Sequence, residues 1–203
     1  MAEASHEVHA PRIGVLAIQG DYAAHAAALE DAGAVATPVR KPTELTGLNG
    51  LVLPGGESTT MIRFLEKNNF FGILREFCAT HPVFGTCAGV ILLAREVRNP
   101  SQQSLGLLDA VVERNAYGRQ IDSAIVSAPS ALSNDLLEMV FIRAPRLTEL
   151  GAGVQVLARR GIDPVLVQQG SILAATFHPE LSTKNPVHRY FVEEVAAGLK
   201  RMH

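Results

Sequence analysis

Cys78 and Cys87 are the only two thiols in the 203-residue sequence. They could form at most one bridge, which excludes a disulfide-stapled scaffold and makes a reducing cytoplasm the expected setting. No uninterrupted run of about 18 apolar residues is available to span a bilayer. Lys and Arg form no dense block and the net charge is −2, so the chain carries no electrostatic footprint for nucleic acid or an anionic membrane surface. Internal repeats, low-complexity tracts and linkers are also missing. The opening MAEASHEVHAP has no apolar centre of the kind a secretion signal needs. Residues 1–10 are expected to form a mobile tail ahead of one domain over residues 11–203. At 47% hydrophobic and 19% charged, the composition is globular and the chain is long enough to bury a core. A small ligand is expected.

Short apolar runs alternate with helical stretches. Ile13 to Ile18 is continuously apolar, as a strand covered on both faces should be. After Gln19-Gly20-Asp21, residues Tyr22 to Ala32 read as an Ala-rich helix closed by Gly33. Strands are expected at Val35 to Val39, Leu51 to Leu53 and Val83-Phe84, and helices at Ser58 to Lys67, Gly72 to Ala79 and Ala88 to Val97. Repeated strand-then-helix order implies a parallel sheet with helices on both faces, the α/β class. The middle departs from this pattern. Val111 to Val126 and Val140 to Arg143 look like strands with little helix between them, an antiparallel excursion. Val154 to Ala158, Val165 to Gln168 and Ile172 to Phe177 follow as strands, the last two joined at Gln169-Gly170. Pro186 to Arg201 closes the chain as an amphipathic helix.

The segment richest in chemistry is Gly85-Thr86-Cys87-Ala88-Gly89. It follows an apolar strand and opens a helix, the context of a nucleophile elbow with cysteine as the nucleophile. Gly85 and Gly89 leave room for a strained strand-to-helix turn. A helix N-terminus favours thiolate over thiol at Cys87, and the Ala88 amide is placed to donate to an oxyanion. The competing reading makes Cys87 a small buried residue in a tight turn; the glycine frame argues against it. Cys78 has no such frame and reads as core.

Seven histidines are available as a base. His178 stands apart because it ends an apolar strand and is followed by Pro179 and Glu180. In extended backbone, residues i and i+2 project to one side, and Pro179 biases His178 toward extended geometry. Glu180 is therefore expected beside the imidazole, fixing its tautomer and stabilising the imidazolium. Taken alone, His-Pro-Glu reads equally well as a polar turn. Pro54-Gly55-Gly56-Glu57-Ser58-Thr59-Thr60 follows a strand and supplies a backbone nest for an anion, with Ser58 or Thr59 capping the next helix. The Gly56 amide is expected opposite that of Ala88 as the second oxyanion donor.

These segments resemble the glutaminase subunits of pyridoxal phosphate synthases, which are triad-type (class I) glutamine amidotransferases. The matching stretches are GVLAIQGDYAAH from Gly14, LVLPGGESTTM from Leu51, FGTCAGVILLA from Phe84, VVERNAYGRQIDS from Val111, FIRAP from Phe141 and FHPEL from Phe177. GTCAG with HPE is shared by triad glutaminases generally, whereas RNAYGRQ, FIRAP and PGGESTT are narrower. The resemblance implies a three-layer, flavodoxin-like α/β fold with a mostly parallel sheet. It makes Cys87 the nucleophile, His178 the base and Glu180 its orienting acid. It also sets L-glutamine against Gly56, Glu57, Ser58, Arg114, Ile142 and Arg143. No metal or cofactor is implied. The implied partner is a (β/α)8 synthase subunit that receives ammonia through an internal route and makes pyridoxal 5'-phosphate.

One departure stands out: after Ser123 the family usually continues Phe-Glu, and this chain has Ala124-Ile125. Three other readings share some of these features. They are a glutaminase of another amidotransferase, a cysteine hydrolase or glyoxalase of a related elbow-bearing fold, and a docking subunit with a vestigial triad. The first would lack RNAYGRQ and FIRAP, and the intact Cys87, His178 and Glu180 speak against the last.

Overall fold

The computed structural model describes residues 10–114, 123–184 and 186–201. Residues 1–9 of the expected tail, and 115–122 of the VVERNAYGRQIDS stretch, lie outside them. Strands β1 (Arg12–Leu16), β2 (Val35–Val39), β3 (Gly50–Leu53), β4 (Val83–Thr86) and β12 (Ile172–Ala175) pair in parallel. Their order across the sheet is β2-β1-β3-β4-β12, the flavodoxin-like arrangement. Strand β3 explains why such runs must be apolar throughout. Leu51 and Leu53 enter one core and Val52 the other, because alternate side chains leave opposite faces.

Helices α1 (Tyr22–Asp31) and α5 (Pro186–Arg201) close one face with Leu29, Val187, Phe191 and Val195. Helices α2 (Ser58–Lys67), α3 (Phe71–Thr80) and α4 (Ala88–Leu93) close the other, where Met61, Leu65, Leu74 and Cys78 are buried. Among the described residues no helix is long and apolar enough to cross a membrane.

Two expectations need correction. The apolar run from Ala88 does not stay helical to Val97: α4 ends at Leu93, and Ala94–Arg98 is strand β5. The carbonyls of Leu92 and Leu93 accept from the amides of Leu105 and Leu107. Ala94 then pairs with Leu108, so tertiary pairing overrides helix propensity there. The excursion is also larger than its apolar runs suggested. β5, β6 (Leu108–Glu113) and β9 (Arg146–Thr148) form a separate three-stranded sheet. β7 (Ser123–Ser130), β8 (Ser133–Ile142), β10 (Gln155–Arg160) and β11 (Asp163–Gln169) extend the main sheet in antiparallel fashion beyond β12.

The parallel half determines where chemistry can occur. In open α/β sheets ligands bind outside the carboxyl ends of the strands. Gly20 follows β1, Gly55 follows β3, Cys87 follows β4 and His178 follows β12, so all four emerge at that edge.

Candidate active site

Cys87 has φ 46° and ψ −102°, a left-handed conformation that a β-substituted residue adopts only under local constraint, at a cost of about 1–3 kcal/mol. The constraint comes from both sides. The Cys87 amide donates to the Ala175 carbonyl of β12 at 2.9 Å, and its carbonyl accepts from the Val90 amide at 3.1 Å. The flanking glycines are sterically required. A Cβ at Gly89 would lie 2.0 Å from the Leu53 carbonyl oxygen, and one at Gly85 would lie 2.6 Å from the Leu93 side chain. The elbow read from the sequence is therefore present, although the helix it opens is only six residues long.

His178 is brought to the same edge by β12, the strand beside β4. Thr86 registers with Ala175, so the residues that follow each strand meet although they lie far apart in the sequence. The His178 amide donates to the Val140 carbonyl of β8 at 2.8 Å, tying the antiparallel extension to the site. Its Nδ1 lies 2.8 Å from Glu180 Oε1. The reason for that pairing differs from the expected one. Pro179–Leu181 forms a short 3-10 turn capped by His178, so turn geometry, and not an extended segment, folds the carboxylate back onto the ring.

Burial opposes charge on His178, but hydrogen bonding and charge from Cys87 and Glu180 outweigh it and raise the imidazole from 6.5 to about 10. Burial likewise opposes ionisation of Glu180, and hydrogen bonds from His178 and His25 reverse this, holding it below the usual carboxylate range. Cys78 behaves as core: burial alone pushes its thiol up to about 12.

Cys87 and His178 open onto a cavity of about 460 Å³, a size suited to a small metabolite. Gly56, Glu57, Ser58, Arg114, Ile142 and Arg143 all line it. Four wall residues were not singled out in the sequence: Gly20, Asp21, Gly55 and Ile91. Gly55 is the most telling of them. A Cβ there would lie 2.6 Å from His178 Cε1 and 3.4 Å from the Cys87 Cβ, so the gap between thiol and imidazole exists because residue 55 has no side chain. Gln19 is a further unassigned contributor; its amide donates to the Glu57 carbonyl and braces the Gly-Gly turn.

The cap of α2 is Glu57, and not Ser58 or Thr59. Its carboxylate accepts from the Thr59 amide at 3.1 Å, the Thr60 amide at 2.6 Å and the Thr60 hydroxyl at 2.7 Å. Those bonds, led by the Thr60 hydroxyl, lower it to about 2. The Ser58 hydroxyl donates instead to Gln102 Oε1 at 3.0 Å. Arg114 Nη2 lies 3.2 Å from the Thr59 hydroxyl and 3.4 Å from Glu57 Oε1, so it buttresses the loop while facing the cavity. Among the described residues no cluster of His, Cys, Asp and Glu is arranged to hold a metal ion.

Comparison with known proteins places the chain in a family. The profile of the SNO glutamine amidotransferase family matches residues 15–197. The chain is 54% identical over 187 residues to a protein of Koribacter versatilis named pyridoxal 5'-phosphate synthase subunit PdxT, covering 92% of this chain and 97% of that one. It is 51% identical over 187 residues to the Thermotoga maritima protein of the same name, covering 91% and 99%. A crystal structure of a glutamine amidotransferase superposes with a TM-score of 0.84 at 46% identity, covering 90% of this chain and 98% of that one.

Proposed function

The chain belongs to the SNO glutamine amidotransferase family, and from that premise we propose how Cys87, His178 and Glu180 carry its reaction. The protein hydrolyses L-glutamine and supplies ammonia for pyridoxal 5'-phosphate synthesis, as the glutaminase subunit of the synthase. The observation that carries the residue assignment is His178 under the influence of two groups, Glu180 at 2.8 Å on Nδ1 and the Cys87 thiol, which both raise the imidazole.

Because Nδ1 is committed to Glu180, Nε2 is the nitrogen left to exchange a proton with sulfur. The Cys87 thiolate attacks the side-chain carbonyl carbon of glutamine, and the Gly56 and Ala88 amides receive the oxyanion. The imidazolium of His178 gives its proton to the leaving nitrogen, the C–N bond breaks and ammonia departs, leaving a thioester. Water, deprotonated by His178, attacks that thioester; glutamate leaves and sulfur returns as thiolate. Glu180 compensates the imidazolium charge throughout and need not itself take a proton. This reading treats residues 11–203 as one glutaminase domain without metal or cofactor.

A (β/α)8 synthase subunit is the proposed recipient of the ammonia, by an internal route. The cytoplasm is the proposed location, supported by two free cysteines where thiols remain reduced. Ammonia release from glutamine, measured with the chain alone and with the synthase subunit added, tests the assignment. Release in neither case refutes it.

Two further outcomes are expected. Protonation of the leaving group requires the His178 imidazolium, which persists because its folded-state value is raised to about 10. The kcat/KM for glutamine should therefore hold into alkaline pH and fall on a limb near pH 10, not near an unperturbed histidine value. A limb near neutrality would contradict the ion pair. Arg114→Ala removes a cation from the cavity wall and a brace from the Glu57 loop. Loss of one charge-assisted bond should raise KM roughly 10- to 100-fold with a smaller change in kcat. An unchanged KM removes Arg114 from the substrate-binding set.

A further inference from the structure

Behind the triad lies a buried polar chain that the reaction as written leaves unused. His25 on α1 and His188 on α5 are both fully buried, and Phe84 packs edge-on against both rings. His25 Nδ1 meets His188 Nε2 at 2.8 Å. On the other side of its ring, His25 Nε2 lies 3.1 Å from the hydroxyl of Thr86, the residue before the nucleophile, and 3.3 Å from Glu180 Oε2. That carboxylate oxygen has no hydrogen-bond partner among the described residues, so the His25 ring is its near polar neighbour at 3.3 Å. Two imidazoles in an apolar core are costly unless their nitrogens are satisfied, so their pairing against a catalytic acid calls for a reason.

Proton counting supplies a direction for the chain. Burial drives His188 down to about 3, which keeps it neutral, with one donor and one acceptor nitrogen. Glu180, ionised, can only accept. A favourable contact between His25 Nε2 and Glu180 Oε2, 3.3 Å apart, therefore needs the proton on His25 Nε2. With a single proton on the His25 ring, Nδ1 is then a lone pair that accepts from His188 Nε2–H, and His188 Nδ1 must be bare. His188 Nδ1 is the ring nitrogen of this group that has no partner. The opposite tautomers would bury an unpaired N–H there and turn a lone pair toward the carboxylate.

We propose that His25 and His188 are positioning residues of the glutaminase site, a buried imidazole pair that holds the Glu180 carboxylate fixed from behind. The inference rests on the Cys87–His178–Glu180 assignment. Glu180 has an imidazole against each oxygen, His178 Nδ1 hydrogen-bonded to Oε1 at 2.8 Å and His25 Nε2 in contact with Oε2 at 3.3 Å, so rotation of the carboxylate disturbs both. From the packed elements the buried titratable groups are His25 on α1, His188 on α5 and Cys87 at the elbow, while β8 buries no charged side chain. Asp21, Glu57, Arg114 and Arg143 lie on the cavity side.

The pH profile of Cys87 alkylation by iodoacetamide, in the full chain, reads the thiolate–imidazolium pair without glutamine or a partner. In His25→Leu, Glu180 loses its polar contact behind the site and supports the imidazolium less well. The acid limb is expected to move up by about one pH unit, the effect of one lost bond to a charged group. With the synthase subunit present, kcat should fall by roughly 10- to 100-fold, as for other outer-shell partners of a reacting group, with KM little changed. His25→Gln, which can present an N–H near the Nε2 position, should recover most of both. An unmoved profile in His25→Leu beside a displaced one in His178→Ala overturns this inference and leaves the triad standing. A profile unmoved in His178→Ala as well overturns the triad itself. If His25→Leu does not fold, nitrogen NMR of the unsubstituted chain decides: protons on Nε2 of both His25 and His188 support the pair, and a bare His25 Nε2 overturns it.

Discussion

Cys87→Ala should eliminate ammonia release, lowering kcat by roughly four to six powers of ten, while leaving the fold in place. Groups that act as a unit in a triad lose nearly all chemistry when the nucleophile goes. What persists is only what binding and the oxyanion donors supply. The fold should survive because alanine keeps the Cβ and the backbone bonds of residue 87 to Ala175 and Val90, and only the sulfur is lost. Thermal melting and ammonia release measured on one preparation separate the two effects. A companion measurement uses the second thiol as an internal control. A glutamine-analogue electrophile should label Cys87 and spare Cys78, which is buried with its thiol pushed up to about 12. Substantial turnover by the alanine variant, or labelling at Cys78 instead, would remove Cys87 from its assigned role.

Gly55→Ala is the second large effect, and it comes from a residue with no reactive group. The added methyl carbon would sit 2.6 Å from His178 Cε1 and 3.2 Å from its Nδ1, closer than nonbonded carbon and nitrogen approach. The imidazole cannot retreat freely, since the His178 amide is bonded to Val140 at 2.8 Å and Nδ1 to Glu180 at 2.8 Å. Either the ring tilts away from sulfur or the Gly55-Gly56 turn backs away from the elbow, and the second course also moves the proposed oxyanion donor. A displacement of about 1 Å costs on the order of 100-fold in rate, so kcat should fall by at least that factor. Gly198→Ala on α5 is the matched control. A Cβ there meets nothing within 4 Å, so the rate should be unchanged and the helix stabilised by about 0.5–1 kcal/mol. Equal rates in the wild type and Gly55→Ala would mean that the gap between thiol and imidazole does not depend on this glycine.

The unequal legibility of these two residues has a physical cause. Cys87 announced itself because everything its conformation requires is local: an apolar strand before it, glycines two positions away on either side, and a helix after it. His178 with Glu180 was legible as a pair, but for the wrong conformation, because a 3-10 turn and an extended segment can both bring residues two apart together. The α4 boundary at Leu93 was invisible because AGVILLAREV suits a buried helix and a buried strand equally well. Only the capture of the Leu92 and Leu93 carbonyls by the 105–107 segment decides between them. The hairpin of β7 and β8 was understated because its outer residues, among them Ile125 at 70% exposure and Leu136 at 63%, do not alternate cleanly between apolar and polar.

By itself the sequence determined the α/β class, the elbow and the acid beside the base, since each is written in short stretches whose sterics or periodicity are self-contained; the glutaminase resemblance rests on matching segments. Tertiary structure alone decided that β4 and β12 lie side by side, so that the thiol and the imidazole share an edge. It also decided that Gly55 is the empty space between them, and that two histidines from the first and last helices meet behind Glu180. Those facts are distances between segments remote in the chain. Such distances depend on strand order, register and the packing of α1 and α5 against one face of the sheet, none of which any local stretch of residues encodes.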